Sequence, residues 1–475
     1  MAAPHRIPKA GSDRTAPDGC RGRAVTVMGL GLFGGGVGAA RHFARHGARV
    51  TVTDLKGADA LAPSIQSLEG LPITFHLGGH DAADFTAAEI VAVSPAVPKT
   101  SPYLRMAEKA GAEITSEMNL FLQRCPAPIV GVTGSSGKST TTALLGEMLS
   151  RAGPVRVGGN IGKSLLDDVE VIRPDETVVL EVSSFQLEDA ARMVWSPQVA
   201  VVTNIAANHL DRHGTMEAYI EAKKNILRFQ TADGIAVLNA DDGEVRRWQA
   251  DARGRVVFYS KCEALSEGVF ADGPEAVFRL GDREERVDLA GRMKLRGSHN
   301  LWNVLAAAAA TRLLGVTPDA IAEAVAAFEP LPHRLQPVGV RDGVLFVDDS
   351  KATTPEAAAL ALAAFTEPVV LIAGGYDKGS DPQVMVEAIR RRAKAVVLIG
   401  ATAGALHRRI GAGGPVVERA EGLEEAVTRA AALAEAGDVV LLAPGHASWD
   451  MFDNYEQRGD VFRKSVPGLG VTGNV

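Results

Sequence analysis

Ile129-Val130-Gly131-Val132-Thr133-Gly134-Ser135-Ser136-Gly137-Lys138-Ser139-Thr140 is the stretch on which the fold turns. The apolar run Ile129 to Val132 reads as a short buried strand, and Thr141 to Leu149 beyond the glycines reads as a helix. Strand, glycine turn and helix in that order are the setting of a phosphate-binding P-loop. Glycines let the backbone wrap phosphates, amides at the helix start donate to them, Lys138 neutralises charge, and the Ser139 hydroxyl can reach Mg²⁺. Gly134, Ser135, Ser136, Gly137, Lys138, Ser139 and Thr140 are therefore expected to hold ATP. The eight-residue pattern wants glycine at 132, where this chain has Val132, so a glycine turn without a nucleotide is the alternative.

Working outward, strand-like and helical runs alternate on both sides, which implies largely parallel sheets with helices on both faces, an α/β protein. A first block spans 24–126. It has strands at Ala24 to Met28 and Arg49 to Thr53 and ends at a hinge, Cys125-Pro126-Ala127-Pro128. A central block spans 127–332, with further strands at Thr177 to Val182, Val199 to Val202 and Ile235 to Leu238. A third spans 333–475, with strands at Val344 to Val347, Val369 to Ala373, Ala395 to Ile399 and Val439 to Leu442. Residues 1–23 carry charges and prolines without an apolar signal core and read as a disordered tail.

Gly29-Leu30-Gly31-Leu32-Phe33-Gly34 follows the first strand, and Asp54 ends the second. The spacing is that of a dinucleotide fingerprint. It suits a nicotinamide or flavin cofactor and equally any nucleotide diphosphate seated on a helix start, with Asp54 near ribose or base. A turn with a purely structural role is the third reading.

In the central block, Glu181 stands in the otherwise apolar run Val178 to Val182. A carboxylate there is costly unless it is paired or bound to metal. His209, Asp211 and His213 follow the Val199 strand and form a possible second wall of a metal site. On a helix expected from Met216 to Phe229, residues Met216, Tyr219, Ile220, Ile226 and Leu227 make an apolar stripe. At about 100° per residue Lys223 falls at its centre and Lys224 at its edge. A buried lysine tends towards its neutral amine, which can add carbon dioxide and become a carbamate, an oxygen ligand suited to Mg²⁺. The plainer reading is a lysine that snorkels to water.

The 475 residues accommodate roughly three domains by length. A net charge of −7 argues against a nucleic-acid platform. Cys20, Cys125 and Cys262 are too few and too scattered for a disulfide framework or zinc spacing, so a reducing cytoplasm is expected. No apolar run has membrane-spanning length, and the Ala-rich stretch from Val304 is cut by Arg312.

These motifs in this order resemble the Mur ligases over almost the whole chain from Ala24 onward. To the stretches above the resemblance adds Gly158 to Gly162, Glu181 to Glu188, Asn208 to His213, His299-Asn300 with Asn303, and His333-Arg334. It continues through Asp349 to Thr353, Gly374 to Gly379 and Asn454 to Gly459. It implies Rossmann-like N- and C-terminal domains flanking a central P-loop ATPase domain. Within the family the motifs are most similar to those of the branch that adds D-glutamate to UDP-N-acetylmuramoyl-L-alanine through an acyl phosphate, acting as a cytoplasmic monomer. The resemblance implies UDP-substrate contacts from Leu32, Phe33, Asp54, Asn160 and His209. It implies nucleotide contacts from Asn303, Arg334 and Asp349, and a metal set of Ser139, Glu181, His209 and carbamylated Lys223. Lys138, Glu181, His209 and Lys223 would be catalytic, and Thr353, Lys378, Ser448, Trp449 and Tyr455 would surround the glutamate. Ser135-Ser136 stands where Thr-Asn is usual, Thr354 where asparagine is common, and Gly445-His446 where Ala-Cys is. Another amino acid such as L-glutamate, folylpolyglutamate synthesis, a regulator that binds UDP-sugar and ATP without ligation, and a nicotinamide oxidoreductase are the competing functions.

Overall fold

The structure, a computed structural model, describes residues 19–466 apart from Phe33 and Lys163. Three sheets form. The first is fully parallel, with strands β1 (Ala24–Met28), β2 (Arg49–Asp54), β3 (Ile73–Leu77), β4 (Ile90–Val93) and β5 (Glu113–Thr115) in spatial order β3-β2-β1-β4-β5. The order reverses around β1, so the ends of β1, β2 and β4 share one edge.

The central sheet comprises β6 (Ile129–Thr133), β7 (Val155–Gly159), β8 (Thr177–Glu181), β9 (Val199–Val202), β10 (Ile235–Asn239), β11 (Arg255–Ser260), β12 (Gly268–Asp272), β13 (Glu275–Leu280) and β14 (Arg283–Asp288). Its order is β14-β13-β12-β11-β10-β9-β6-β8-β7. The strands β6 and β9 are buried throughout, as a parallel strand covered on both faces must be. The final pairs β12–β13 and β13–β14 are antiparallel, an extension that was not expected from the sequence.

The third sheet is β15 (Gln336–Arg341), β16 (Val344–Asp348), β17 (Val369–Gly374), β18 (Ala393–Ile399), β19 (Val416–Arg419) and β20 (Val439–Leu442), in order β15-β16-β20-β17-β18-β19. It is parallel except at β15, which hairpins back onto β16.

Two compact units result. The first runs to Gly291 and takes in Trp302–Val325; the second comprises Arg292–Leu301 and the chain from Ala326 onward. The first and central blocks thus share one unit, and 292–301 with 326–332 belong with the third block rather than the central one. The expected tail needs a second correction. Residues 1–18 lie outside the described residues, but Cys20 is fully buried, Gly22 N–H donates to the Gly47 carbonyl at 2.8 Å, and Arg23 pairs with Glu89 at 2.8 Å. Packed chain therefore begins before Ala24. No helix among the described residues is long and apolar enough to cross a membrane.

Candidate active site

β9, β6 and β8 are neighbours, so the loops leaving their C-terminal ends meet. From β6 comes the P-loop. The helix Lys138–Leu149 starts at the lysine itself, three residues earlier than the apolar pattern suggested, with Gly137 capping it at φ 80°. A methyl on Gly137 would lie 2.2 Å from Asn303 Oδ1, and one on Gly134 (φ 145°) would lie 1.9 Å from Thr203 Oγ1. At either position a side chain would force its neighbour to move. Asn303, on the helix Asn300–Leu313, lies beside the P-loop glycine.

Asn204, just past β9, grips the loop from below. Its Oδ1 accepts from Ser136 N–H at 2.9 Å and its Nδ2 donates to the Ser136 carbonyl at 3.0 Å. Ser135, one of the departures from the family pattern, is buried. Its hydroxyl donates to the Ala206 carbonyl, accepts from Ala206 N–H, and lies 2.9 Å from the Tyr219 hydroxyl. Lys138 Nζ donates to the Ser135 carbonyl at 3.0 Å, and Ser139 and Thr140 are buried in the first helical turn. Thr203 and Asn204 carry no role in the sequence reading, and Tyr219 enters it only as a member of the apolar stripe.

Glu181 ends β8 rather than interrupting it, facing Val132 across the ladder. It is 2 % exposed. Its Oε1 accepts from Asn160 Nδ2 at 2.9 Å, while its Oε2 is buried without a hydrogen-bond partner. An orphaned carboxylate oxygen of this kind fits a cation. Among the described residues no three His, Cys, Asp or Glu side chains converge as a metal site, so the expected set depends on Ser139 and Lys223 besides Glu181 and His209.

Lys223 lies on the helix Met216–Arg228 and is 2 % exposed, with Tyr219, Ala222, Asn225, Ile226 and Leu227 buried on the same element. It does not snorkel. Its amine donates to the Gly134 carbonyl at 2.8 Å and to Thr133 Oγ1 at 3.3 Å. Burial pushes the amine well below the usual lysine range, the Lys138 ammonium adds to this, and Glu181 opposes it. Lys224, by contrast, pairs at the surface with Asp251 at 3.0 Å.

The His-x-Asp-x-His run divides. His209 adopts a left-handed backbone (φ 55°) and starts the short helix Leu210–His213. His213 is taken up elsewhere: its Nε2 lies 2.9 Å from Ser184 Oγ and its ring stacks on Phe185. Of the expected second wall, His213 is thus engaged elsewhere, and the side chain of Asp211 lies outside the described positions.

In the first sheet, Asp54 accepts from Gly31 N–H at 3.1 Å and Lys56 N–H at 2.9 Å, tying the end of β2 to the glycine turn after β1. Leu32 is 42 % exposed beside it; Phe33 lies outside the described residues.

The third block builds its own cluster where β16, β20 and β17 stand side by side. Gly445 N–H donates to the Ala352 carbonyl, and Tyr376 and Ala447 exchange backbone bonds. These tie the Thr353, Lys378 and Ser448 loops together. Lys351 Nζ is 3.6 Å from the Tyr455 ring centre and Lys378 Nζ is 5.3 Å from that of Trp449, which leans on Tyr376. Arg334 is flanked by two left-handed residues, His333 (φ 60°) and Leu335 (φ 43°). The turn is held by His333 Nδ1 against Asp348 Oδ2 at 2.7 Å and by Leu335 N–H on Asp349 Oδ1 at 3.0 Å. Burial pushes the Asp349 carboxyl up to about 7; the Leu335 amide and Arg334 oppose the shift and Asp348 adds to it. Beneath them Arg458, 1 % exposed, donates to the Ser350 hydroxyl, the Ser350 carbonyl and the His446 carbonyl. The pairing of Asp348 with His333 and the bonds of Arg458 form no part of the sequence reading, although His333 and Arg458 stand in its quoted motifs.

Comparisons with known proteins match this layout block by block. The description "Mur ligase MurD-like, N-terminal domain" matches residues 23–116, "Mur ligase middle domain" 132–311, and "Mur ligase, glutamate ligase domain" 333–446. A UDP-N-acetylmuramoylalanine–D-glutamate ligase of Roseiflexus sp. (strain RS-1) is 46% identical over 459 residues, covering 94% of this chain and 98% of that protein. The ligase of the same name from Geobacter metallireducens is 43% identical over 450 residues, with the same two coverages, 94% and 98%. Among solved structures, a UDP-N-acetylmuramate–alanine ligase of Thermotoga maritima aligns with TM-score 0.61 at 20% identity, over 93% of this chain and 98% of that one. The MurF ligase of Thermotoga maritima in complex with ADP aligns with TM-score 0.58 at 20% identity, over 95% and 97%.

Proposed function

The chain belongs to the Mur ligase family, and from that membership we propose how its residues carry out the ligation. The reaction is the ATP-driven addition of D-glutamate to UDP-N-acetylmuramoyl-L-alanine in peptidoglycan synthesis, the activity in the names of relatives 40–46% identical over 94% of the chain. The site observation that best supports the assignment of roles is a buried lysine amine bonded to the P-loop carbonyl and near enough to Glu181, with its orphaned oxygen, to feel that charge.

A carboxylate is a poor electrophile. The alanine carboxylate first attacks the γ-phosphorus of ATP, ADP departs, and an acyl phosphate forms. The glutamate amine then attacks the acyl carbon, the tetrahedral adduct loses phosphate, and an amide remains. Like charges crowd in the first step, and Lys138 with the amides from Gly134 to Thr140 stabilises them where they develop. Mg²⁺ supplies further charge neutralisation when bound, and Ser139, Glu181, His209 and a carbamate on Lys223 would hold it. In forming that carbamate the neutral Lys223 amine attacks carbon dioxide and releases a proton. The nitrogen keeps one N–H for the Gly134 carbonyl. Leu32, Phe33 and Asp54 take the UDP, and Asn160 and His209 meet the muramoyl-alanine end. Asn303, Arg334 and Asp349 contact the nucleotide.

For the amino acid, Lys378 and Thr353 satisfy one carboxylate and Ser448 the other, with Trp449 and Tyr455 as walls. A monocarboxylate would leave a cation poorly matched. We place the enzyme in the cytoplasm as a monomer. The test is a parallel turnover assay with ATP, Mg²⁺ and UDP-N-acetylmuramoyl-L-alanine, offering D-glutamate, L-glutamate, D-aspartate or L-lysine. Phosphate and ligated product should appear fastest with D-glutamate. Faster product with L-glutamate would refute the stereochemistry, product only with lysine would overturn the pocket, and nucleotide binding without any product would favour a regulator.

A further inference from the structure

The loop that leaves β4 is gripped from outside its own sheet. It packs on the first glycine turn, where a methyl on Gly29 would fall 2.8 Å from Ser94 Cβ. Arg212, from the short helix after His209, reaches across to it. The guanidinium donates to the carbonyls of Ala96 at 3.1 Å, Pro95 at 3.3 Å and Val97 at 3.4 Å. The same group lies 4.9 Å from the centre of the Phe185 ring. Phe185 in turn stacks on His213 with centroids 5.0 Å apart and planes 1° from parallel, and meets His209 edge-on at 5.3 Å.

A planar cation with several in-plane donors can bond a set of carbonyls while its flat face rests on an aromatic ring; an ammonium has neither the flat face nor the fork and cannot reproduce that arrangement. Arg212 and His213 both pack on Phe185, so the 95–97 carbonyls are linked through one guanidinium to the ring that His209 meets. Lys99, two residues beyond Val97, pairs with Asp189 on the helix that carries Phe185. That second grip holds the loop through Asp189 rather than through the Phe185 ring.

We propose that Arg212 is a positioning residue that couples occupancy of the first glycine turn by the UDP-substrate, through the β4 loop packed on that turn, to the placement of His209, and so to metal–nucleotide binding at the P-loop. The proposal rests on the reading of His209 as a metal-site residue. Coupling of this kind is reciprocal: whatever the UDP-substrate does for the nucleotide, the nucleotide does for the UDP-substrate.

The experiment is calorimetry on the full chain with Mg²⁺ and a non-hydrolysable ATP analogue, with and without saturating UDP-N-acetylmuramoyl-L-alanine. In the wild type the UDP-substrate should tighten analogue binding about tenfold. In Arg212→Met and in Arg212→Lys the ratio should fall towards one, while the analogue alone binds within about twofold of wild type, since Arg212 is an exposed side chain. Phe185→Leu should lower the ratio in the same way, and Lys99→Met should leave it intact. A wild-type ratio near one, or an undiminished ratio in Arg212→Met, would overturn the proposal. His209→Ala tests the underlying reading separately: wild-type affinity for the Mg²⁺-bound analogue in that variant would remove His209 from the metal site whatever Arg212 does.

Discussion

Gly34 and Gly137 hold the same post in two different sheets. Each caps the helix that follows a glycine turn, and each is left-handed, at φ 87° and 80°. Around Gly34 a methyl would meet nothing within 4 Å, whereas at Gly137 it would strike Asn303 Oδ1 at 2.2 Å. In the first turn the close approaches fall elsewhere: a methyl on Gly36 would lie 2.4 Å from the carbonyl oxygens of Gly29 and Leu30. One turn thus needs glycine at its cap only for the hand of the backbone. The other needs it also because a side chain from a distant helix closes on the phosphate loop. Spacing alone cannot separate these reasons.

The largest expected contrast is functional. Lys138→Ala should lower turnover on the order of a thousandfold while leaving UDP-substrate affinity, read by calorimetry, near wild type. Comparable losses of both would mean that the two turns do not serve separate ligands.

Next comes the buried amine behind the P-loop. Lys223→Ala should cost on the order of a hundredfold in turnover, and Lys224→Ala less than about twofold. Small carboxylates should partly restore the first variant. A ¹³C carbamate resonance after addition of labelled bicarbonate should appear in wild type and vanish in Lys223→Ala. Equal activity of the two variants would remove the carbamate.

Third, the two caps can be compared directly. Gly34→Ala and Gly137→Ala share the left-handed strain of about 1 kcal/mol. Denaturant unfolding should show a further loss of about 2 kcal/mol in Gly137→Ala, because the methyl meets a packed polar group. Asn303→Ala in the same chain should recover part of that loss, which a double-mutant cycle measures.

The smallest effect belongs to the helix behind the first turn. Burial pushes the His42 imidazole down to about 3, with Arg124 and His46 adding to the shift. Below about pH 6.5 the unfolded chain takes up a proton that the folded chain refuses, so stability falls with pH down to about 3. The loss at pH 5.5 is about 1.4 kcal/mol, and His42→Leu should flatten that part of the stability–pH curve. An unchanged slope would show that His42 titrates freely in the folded protein.

How much of this was legible depended on whether the cause was local. Lys223 could be placed because helical periodicity alone puts it in the stripe, and strands such as β1, β6, β9 and β17 showed as apolar runs while others in every block did not. Asn204, Thr203 and Asn303 act at the P-loop because β9 neighbours β6 and because one helix returns to the turn, a matter of sheet order that no window of sequence contains. Asn303 was reached only through family resemblance. The strand Arg283–Asp288 was missed because its charged residues alternate too weakly for a strand signal. His213 was overrated since its partner, Ser184, comes from another helix. The pairing of Asp348 with His333 likewise joins a strand end to a loop that precedes its hairpin.

The contact between Gly137 and Asn303 also constrains how this sequence can drift. Positions far apart along the chain share one small volume, so neither can change as an independent character. Enlarging residue 137 would require the Asn303 side chain to turn away or shrink first. Either way the chain would first pass through a state lacking the asparagine at its phosphate loop. The path is closed by its intermediate rather than by its destination, and the pair should persist together long after the surface around it has been rewritten.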